Sequence, residues 1–89
     1  MLKPVFTKQF EKDIKLTVKR GKDKSKIRPV IIMLLKKEIL PARYHDHKLT
    51  GKFRQRRECH IEPDWLLVCK VQEEVIIFER TGTHADLFE

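Results

Sequence analysis

The sequence predicts an α+β fold: two N-terminal helices packed on a small curved antiparallel β-sheet, followed by a short C-terminal helical turn. Three observations carry that prediction. Apolar residues recur at helical spacing as far as Pro41, the period changes to alternation after Gly51, and turn residues cut the alternating stretch into strand-length pieces. Two helices layered on one sheet face leave the other face free to be a site. The 89 residues suit one core, so residues 1–89 are expected to form a single domain.

Lys3–Phe6 reads as a short opening strand. Thr7 offers a hydroxyl cap for a helix running to about Arg20, along which Phe6, Phe10, Ile14 and Val18 recur every four residues as one apolar stripe. Gly21 suits the left-handed position after its last turn. A second helix, capped by Asp23 or Ser25, carries Ile27, Val30, Ile31, Leu34 and Leu35 at core-facing spacing. Pro29 is tolerated only near its first turn, and Pro41 ends it. In Phe53–Ile61, one face holds Phe53, Gln55, Arg57, Cys59 and Ile61, and the other holds Arg54, Arg56, Glu58 and His60 as a wet, charged face. Glu62-Pro63-Asp64 is turn chemistry. Glu73-Glu74 separates Trp65–Gln72 from Val75–Thr81, giving a three-stranded antiparallel meander. Thr83-His84-Ala85-Asp86 has the hydroxyl–x–x–acid form of a capping box and opens the final turn with Leu87 and Phe88.

Charge is uneven along the chain. Residues 1–57 hold 18 Lys and Arg against 5 Asp and Glu, whereas residues 58–89 hold 2 against 8, within a net charge of +7. Such a field favours a polyanion or an acidic protein partner; a solvated basic surface is the plainer reading of Lys-rich helices. No apolar run approaches the roughly 20 residues needed to span a bilayer, and the N-terminus lacks the apolar stretch of a signal peptide. No membrane partner is therefore expected, and the cytoplasm is the expected compartment. Cys59 and Cys69 fit reduced thiols within strands better than a disulfide framework.

All four histidines fall in three short segments: His45-Asp46-His47, His60-Ile61-Glu62-Pro63-Asp64-Trp65 and Arg80-Thr81-Gly82-Thr83-His84. Histidine gives and takes protons near neutrality, so the segments point to acid–base catalysis on something negatively charged. The bend at residues 62–64 brings Asp64 back toward His60, where a carboxylate can orient the ring; alternatively, Asp64 caps the turn and His60 is merely exposed. Backbone N–H groups at the start of the last helical turn, with Arg80, would hold a phosphoryl group beside His84; the alternative is a turn glycine and a surface histidine. His45, His47, His60 and Asp64 offer four metal ligands, but no Cys-x-x-Cys or His-Glu-x-x-His spacing accompanies them, and neither a metal nor another cofactor is expected. Lys52, Arg54, Arg56 and Arg57 form a basic strand suited to nucleic-acid phosphates, with Phe88 and Trp65 as candidate base-stacking rings. Trp65 fits the core equally well, since Leu67, Cys69 and Val71 share its face.

Three ordered blocks carry a resemblance to a known family. Tyr44-His45-Asp46-His47-Lys48-Leu49 with Gly51, then Arg57-Glu58-Cys59-His60-Ile61-Glu62-Pro63-Asp64-Trp65, then Arg80-Thr81-Gly82-Thr83-His84-Ala85-Asp86-Leu87-Phe88, resemble the YafQ branch of the RelE/ParE toxin superfamily, and the similarity covers the whole chain. The resemblance implies a RelE-like fold and the toxin of a bacterial type II toxin–antitoxin pair, an endoribonuclease that cuts messenger RNA in the ribosomal A site without a metal ion. It places the catalytic set on His47, His60, Asp64 and His84, the phosphate-facing arginine on Arg80, and the C-terminal aromatic on Phe88. Arg57, Arg54 and Lys52 remain the further candidates for contacting RNA, and His45 has no counterpart. Cys69 stands where tyrosine is common, at a position that alternation assigns to the core.

On this reading the ribose 2′-OH attacks the adjacent phosphorus. His60, oriented by Asp64, is the candidate base and His84 the candidate acid, with His47 able to exchange roles with either. Arg80, with Arg57, faces the developing charge. The implied partner is an acidic antitoxin, partly disordered alone, through whose complex operator DNA is bound. A gyrase-inhibiting toxin of the ParE type and a non-catalytic nucleic-acid-binding module are the competing readings of the same fold.

Overall fold

The computed structural model describes residues 1–51 and 55–88. A five-stranded sheet in the order β1-β5-β4-β3-β2 forms its centre. The strands are β1 Lys3–Phe6, β2 His47–Lys48, β3 Arg57–Glu62, β4 Trp65–Gln72 and β5 Val75–Gly82, and the helices are α1 Lys8–Lys19, α2 Arg28–Leu35 and α3 His84–Phe88. The expected meander is β3-β4-β5, antiparallel throughout, with Leu67 opposite both Cys59 and Thr81. Two pairings extend it. β1 runs parallel to β5, setting Phe6 beside Phe78, and the two-residue β2, expected as loop, sets His47 opposite Glu58.

Local chemistry fixes the helix ends. Thr7 Oγ1 accepts the Phe10 N–H at 2.9 Å, the side-chain cap foreseen for α1. At its other end Gly21, at φ 92°, lets the Lys22 N–H reach the Thr17 carbonyl and its own N–H reach Val18, a Schellman stop. Asp23 caps a 3₁₀ turn, Lys24–Lys26, before α2 begins with Pro29 in its first turn, where a missing N–H costs nothing. The second helix ends at Leu35, well before Pro41. Lys37 adopts φ 59°, and Glu38 and Lys37 donate to the Met33 and Leu34 carbonyls, so the stop is again a Schellman turn, here without glycine.

Val30 and Leu34 of α2 pack with Phe10, Trp65, Leu67, Cys69, Ile76 and Phe78 to form the core. The apolar stripe expected along α1 is corrected by the packing. Phe6 and Val18 are exposed, and the face that α1 buries carries Phe10, Asp13 and Thr17. Asp13 is tolerated there because its carboxylate is fully hydrogen-bonded: Oδ2 accepts from Arg80 Nε at 2.8 Å and the Thr81 N–H at 3.1 Å, and Oδ1 accepts from Gln9 and Arg80. Trp65, a candidate base-stacking ring, belongs to the core: it is 1% exposed, and its Nε1–H donates to Thr81 Oγ1 at 2.9 Å. Cys59 and Cys69 are free and buried. Burial pushes both thiols up, Cys69 to about 11, so neither is a ready nucleophile. Among the described residues, no helix is long and apolar enough to cross a membrane.

Candidate active site

Three elements deliver imidazoles to one place: His47 from β2, His60 from β3 and His84 from the start of α3. The His60 ring centroid lies 6.3 Å from that of His47 and 5.7 Å from that of His84. Glu58, two residues before His60 and so on the same side of β3, is the shared carboxylate. Its Oε1 is 3.1 Å from His60 Nε2 and 3.6 Å from His47 Nε2. The Glu58 side chain is only 7% exposed, so the face expected to be wet is buried at this point. A carboxylate can only accept; His60 Nε2 therefore carries the proton and Nδ1 is left as an acceptor. His47 Nδ1 lies 2.7 Å from the His45 carbonyl, which by the same logic makes Nδ1 the donor. A proton arriving at His47 Nε2 is then placed against Glu58.

The structure reassigns Asp64. Expected to orient His60, it holds His84 instead: Oδ1 accepts from His84 Nδ1 at 2.8 Å and from the His84 N–H at 3.0 Å. These two donors, the backbone N–H first, keep the Asp64 carboxyl below its ordinary range. A phosphoryl cradle at the start of α3 is also corrected, because that helix end already holds carboxylates. The Thr83 N–H donates to Asp86 Oδ2 at 3.0 Å while the Asp86 N–H donates to Thr83 Oγ1 at 3.1 Å, closing the expected capping box. Arg20 Nη1, 2.7 Å from Asp86 Oδ2, is the main cause holding the Asp86 carboxyl down at about 2. Gly82 makes room for this arrangement, since a Cβ there would stand 2.9 Å from Asp86 Oδ2.

Both predicted arginines have carboxylate partners. Arg80 gives Nε–H and one Nη2–H to Asp13, so that carboxylate takes two of its five N–H donors. Arg57 donates from Nε and Nη2 to Asp46 and so braces the histidine loop. Its fork is committed to positioning more than to a phosphate. Arg56, on the basic strand, pairs with Glu79 at 2.5 Å. Lys52 and Arg54 lie outside the described residues. Phe88 is half-exposed and borders, with Arg80, Arg56 and Leu87, a recess of about 250 Å³. Glu58 and Asp13 are the residues that sequence reasoning missed. The i, i+2 spacing of Glu58 and His60 along a strand was the available signal for the first.

Over residues 2–89 the chain matches the family described as "Bacterial toxin of type II toxin-antitoxin system, YafQ". The chain belongs to the YafQ toxin family. Among its YafQ relatives, the mRNA interferase toxin YafQ of Escherichia coli strain K12 is 44% identical over 84 residues, 93% of this chain and 91% of that protein. The toxin fold of the E. coli DinJ–YafQ complex matches with a TM-score of 0.92 at 41% identity, over 100% of both chains. A copper-bound mutant toxin from Helicobacter pylori matches with a TM-score of 0.95 at 43% identity, over 99% of this chain and 100% of that one. In this YafQ-family chain, one ligand atom each from Glu58, His60 and His84 lies within 4.8 Å of the others. A carboxylate and two imidazoles suit a borderline transition metal, and this set replaces the His45, His47, His60 and Asp64 set considered from sequence.

Proposed function

We propose that this YafQ-family toxin is an endoribonuclease, an mRNA interferase that cuts messenger RNA in the ribosomal A site. On this reading it acts in the cytoplasm as one domain over residues 1–89, held in check by an acidic antitoxin. The observation that carries the reading is the convergence of His47, His60 and His84, each oriented by a hydrogen-bond partner. A gyrase-inhibiting or purely nucleic-acid-binding protein has no use for three oriented imidazoles around one carboxylate.

RNA supplies its own nucleophile. The 2′-OH attacks the adjacent phosphorus, the 2′-O–P bond forms, the P–O5′ bond breaks, and the products are a 2′,3′-cyclic phosphate and a 5′-hydroxyl. His60, with Nε2–H fixed on Glu58, presents Nδ1 to take the 2′-OH proton. His84, its ring held by Nδ1 on Asp64, gives a proton from Nε2 to the departing oxygen. His47 Nε2, facing Glu58, resets the proton balance between turnovers. Arg80 meets the charge that builds on the phosphate, and Phe88 offers a face for a base.

A transition metal at Glu58, His60 and His84 would supply Lewis acidity toward a phosphate oxygen. Two of those residues, His60 and His84, are the ones to which this reading gives the proton transfers, so cleavage is expected to persist after exhaustive chelation, measured on programmed ribosomes. The basic residues 1–57 suit an acidic partner, and the E. coli relative is found with DinJ; operator DNA would be reached through that complex. The decisive experiment maps 5′ ends of messenger RNA after brief induction of wild type and His84→Ala. In-frame cuts inside coding regions are expected with wild type only. Undiminished toxicity of the variant would transfer the effect from chemistry to binding.

A further inference from the structure

His45 takes no part in the proton transfers, yet it is held in an unusual way. Its backbone is left-handed, φ 47°, a conformation disfavoured for residues with a Cβ and found where surroundings impose it. The constraints are visible: its N–H donates to the Ala42 carbonyl at 3.0 Å, its carbonyl accepts from His47 Nδ1, and the neighbouring Asp46 is clamped by Arg57. Held this way, the His45 ring stands 5.4 Å from His60, tilted by 55°.

That ring lines a cavity of about 740 Å³ bounded by the histidine loop, the first turn of α2 and the β3–β4 hairpin. The volume falls within the roughly 300–1,000 Å³ typical of small-ligand sites. Pro29, Tyr44 and Ile61 give it apolar walls, and Lys26 and Arg43 give it cations. The Arg43 guanidinium lies 4.6 Å over the Tyr44 ring and donates to its hydroxyl at 3.1 Å; no carboxylate pairs with it among the described residues. Lys26 shares the Glu62 carboxylate with Lys22, each at 2.7 Å. The cavity reaches His47 and His60 but not Arg80 or Phe88, which border the separate, smaller recess. Of the two, only the larger cavity is lined by imidazoles, so an RNA strand whose scissile phosphate lies at His47 and His60 has an adjoining nucleotide within its reach, apart from the recess that Arg80 and Phe88 share.

We propose that the larger cavity is a subsite for the RNA nucleotide adjoining the scissile phosphate on the side away from Arg80 and Phe88. His45 is the ring on which its base stacks, and Arg43 and Lys26 are the cations that face its phosphate. This subsite rests on the RNA-cleaving reading but is tested apart from it. The probe is a short RNA carrying a 2′-deoxy sugar at the cut position mapped with wild type; lacking the attacking hydroxyl, it binds without being cleaved.

His45→Asn keeps a residue that accepts left-handed backbone but removes the ring. It is expected to weaken binding of the probe roughly tenfold, in line with the loss of one base stack. It should also raise KM on programmed ribosomes more than it lowers kcat, and flatten base preference at one nucleotide beside the cut. Arg43→Gln is expected to weaken binding and to lessen its salt dependence by about one ion. Thermal melting confirms that both variants fold. Unchanged affinity and base preference in His45→Asn would overturn the subsite, as would a fall in kcat alone, which would draw His45 into the proton chemistry. Wild type that binds the probe but never cuts message would remove the catalytic reading and leave the subsite standing. Wild type that cuts while His45→Asn is indifferent would do the reverse.

Discussion

Glu58 is the acid through which two histidines communicate, and its burial makes its charge matter more than that of an exposed carboxylate. Glu58→Gln keeps the shape of the side chain and removes the charge. The expected result is a drop in kcat of roughly 10²-fold, the lower end of the range for a positioned proton-transfer group, with little change in Tm; an unchanged single-turnover rate would deprive Glu58 of this role. Asp64 makes a pH prediction with a definite sign. Its carboxyl is held below the ordinary range by the two His84 donors, so the hold on His84 is complete above the unfolded value and is lost as pH falls through the lowered one. An NMR titration of the His84 amide should therefore break at a pH below that of an aspartate in an unfolded peptide. Neighbouring residues brought all four histidines under suspicion, and the family resemblance narrowed them to His47, His60 and His84. Sequence reasoning misassigned Asp64 because closeness along the chain favoured His60, four residues away, whereas His84 arrives from twenty residues further on. A register shift lies between His60 and Glu62, and an irregularity of that kind re-aims side chains.

α3 is five residues long, too short to persist by propensity, and its cap decides whether His84 is held. Asp86→Asn weakens both the capping box and the Arg20 contact. A cap of this kind contributes about 1 kcal/mol, so Tm should fall by about 4–8 °C, and cleavage should fall with it as His84 loses its place. Because the folded Asp86 carboxyl sits at about 2, below its unfolded value, the stabilisation is fully present above roughly pH 4. The Tm gap between wild type and variant should close as pH drops from there toward 2. In α1, Asp13→Asn leaves Arg80 with a neutral partner in a half-buried position. The expected cost is about 1–3 kcal/mol, together with a loss of kcat/KM, measured by denaturant unfolding and by cleavage. Element positions were legible from Thr7, Gly21, Pro29 and the Thr83–Asp86 pair, each with a single backbone role. The buried face of α1 was not. Apolar spacing pointed to Phe6 and Val18, and only the position of Arg80 on β5 explains why a carboxylate takes the inward place.

Across the whole molecule, the functional groups depend on contacts between distant parts of the chain. β1 adds to β5 in parallel, Thr7 Oγ1 donates to the Glu79 carbonyl across 72 positions, and Asp13 reaches Arg80 across 67. Parallel pairing leaves no hairpin signature in a sequence, which is why Lys3–Phe6 was readable as a strand but not as a neighbour of β5. Contacts of such separation form late, after the loop between them has been closed. Arg80 is thus seated by a residue near the opposite end of the chain, so a polypeptide in which the two ends have not met lacks its anchored guanidinium.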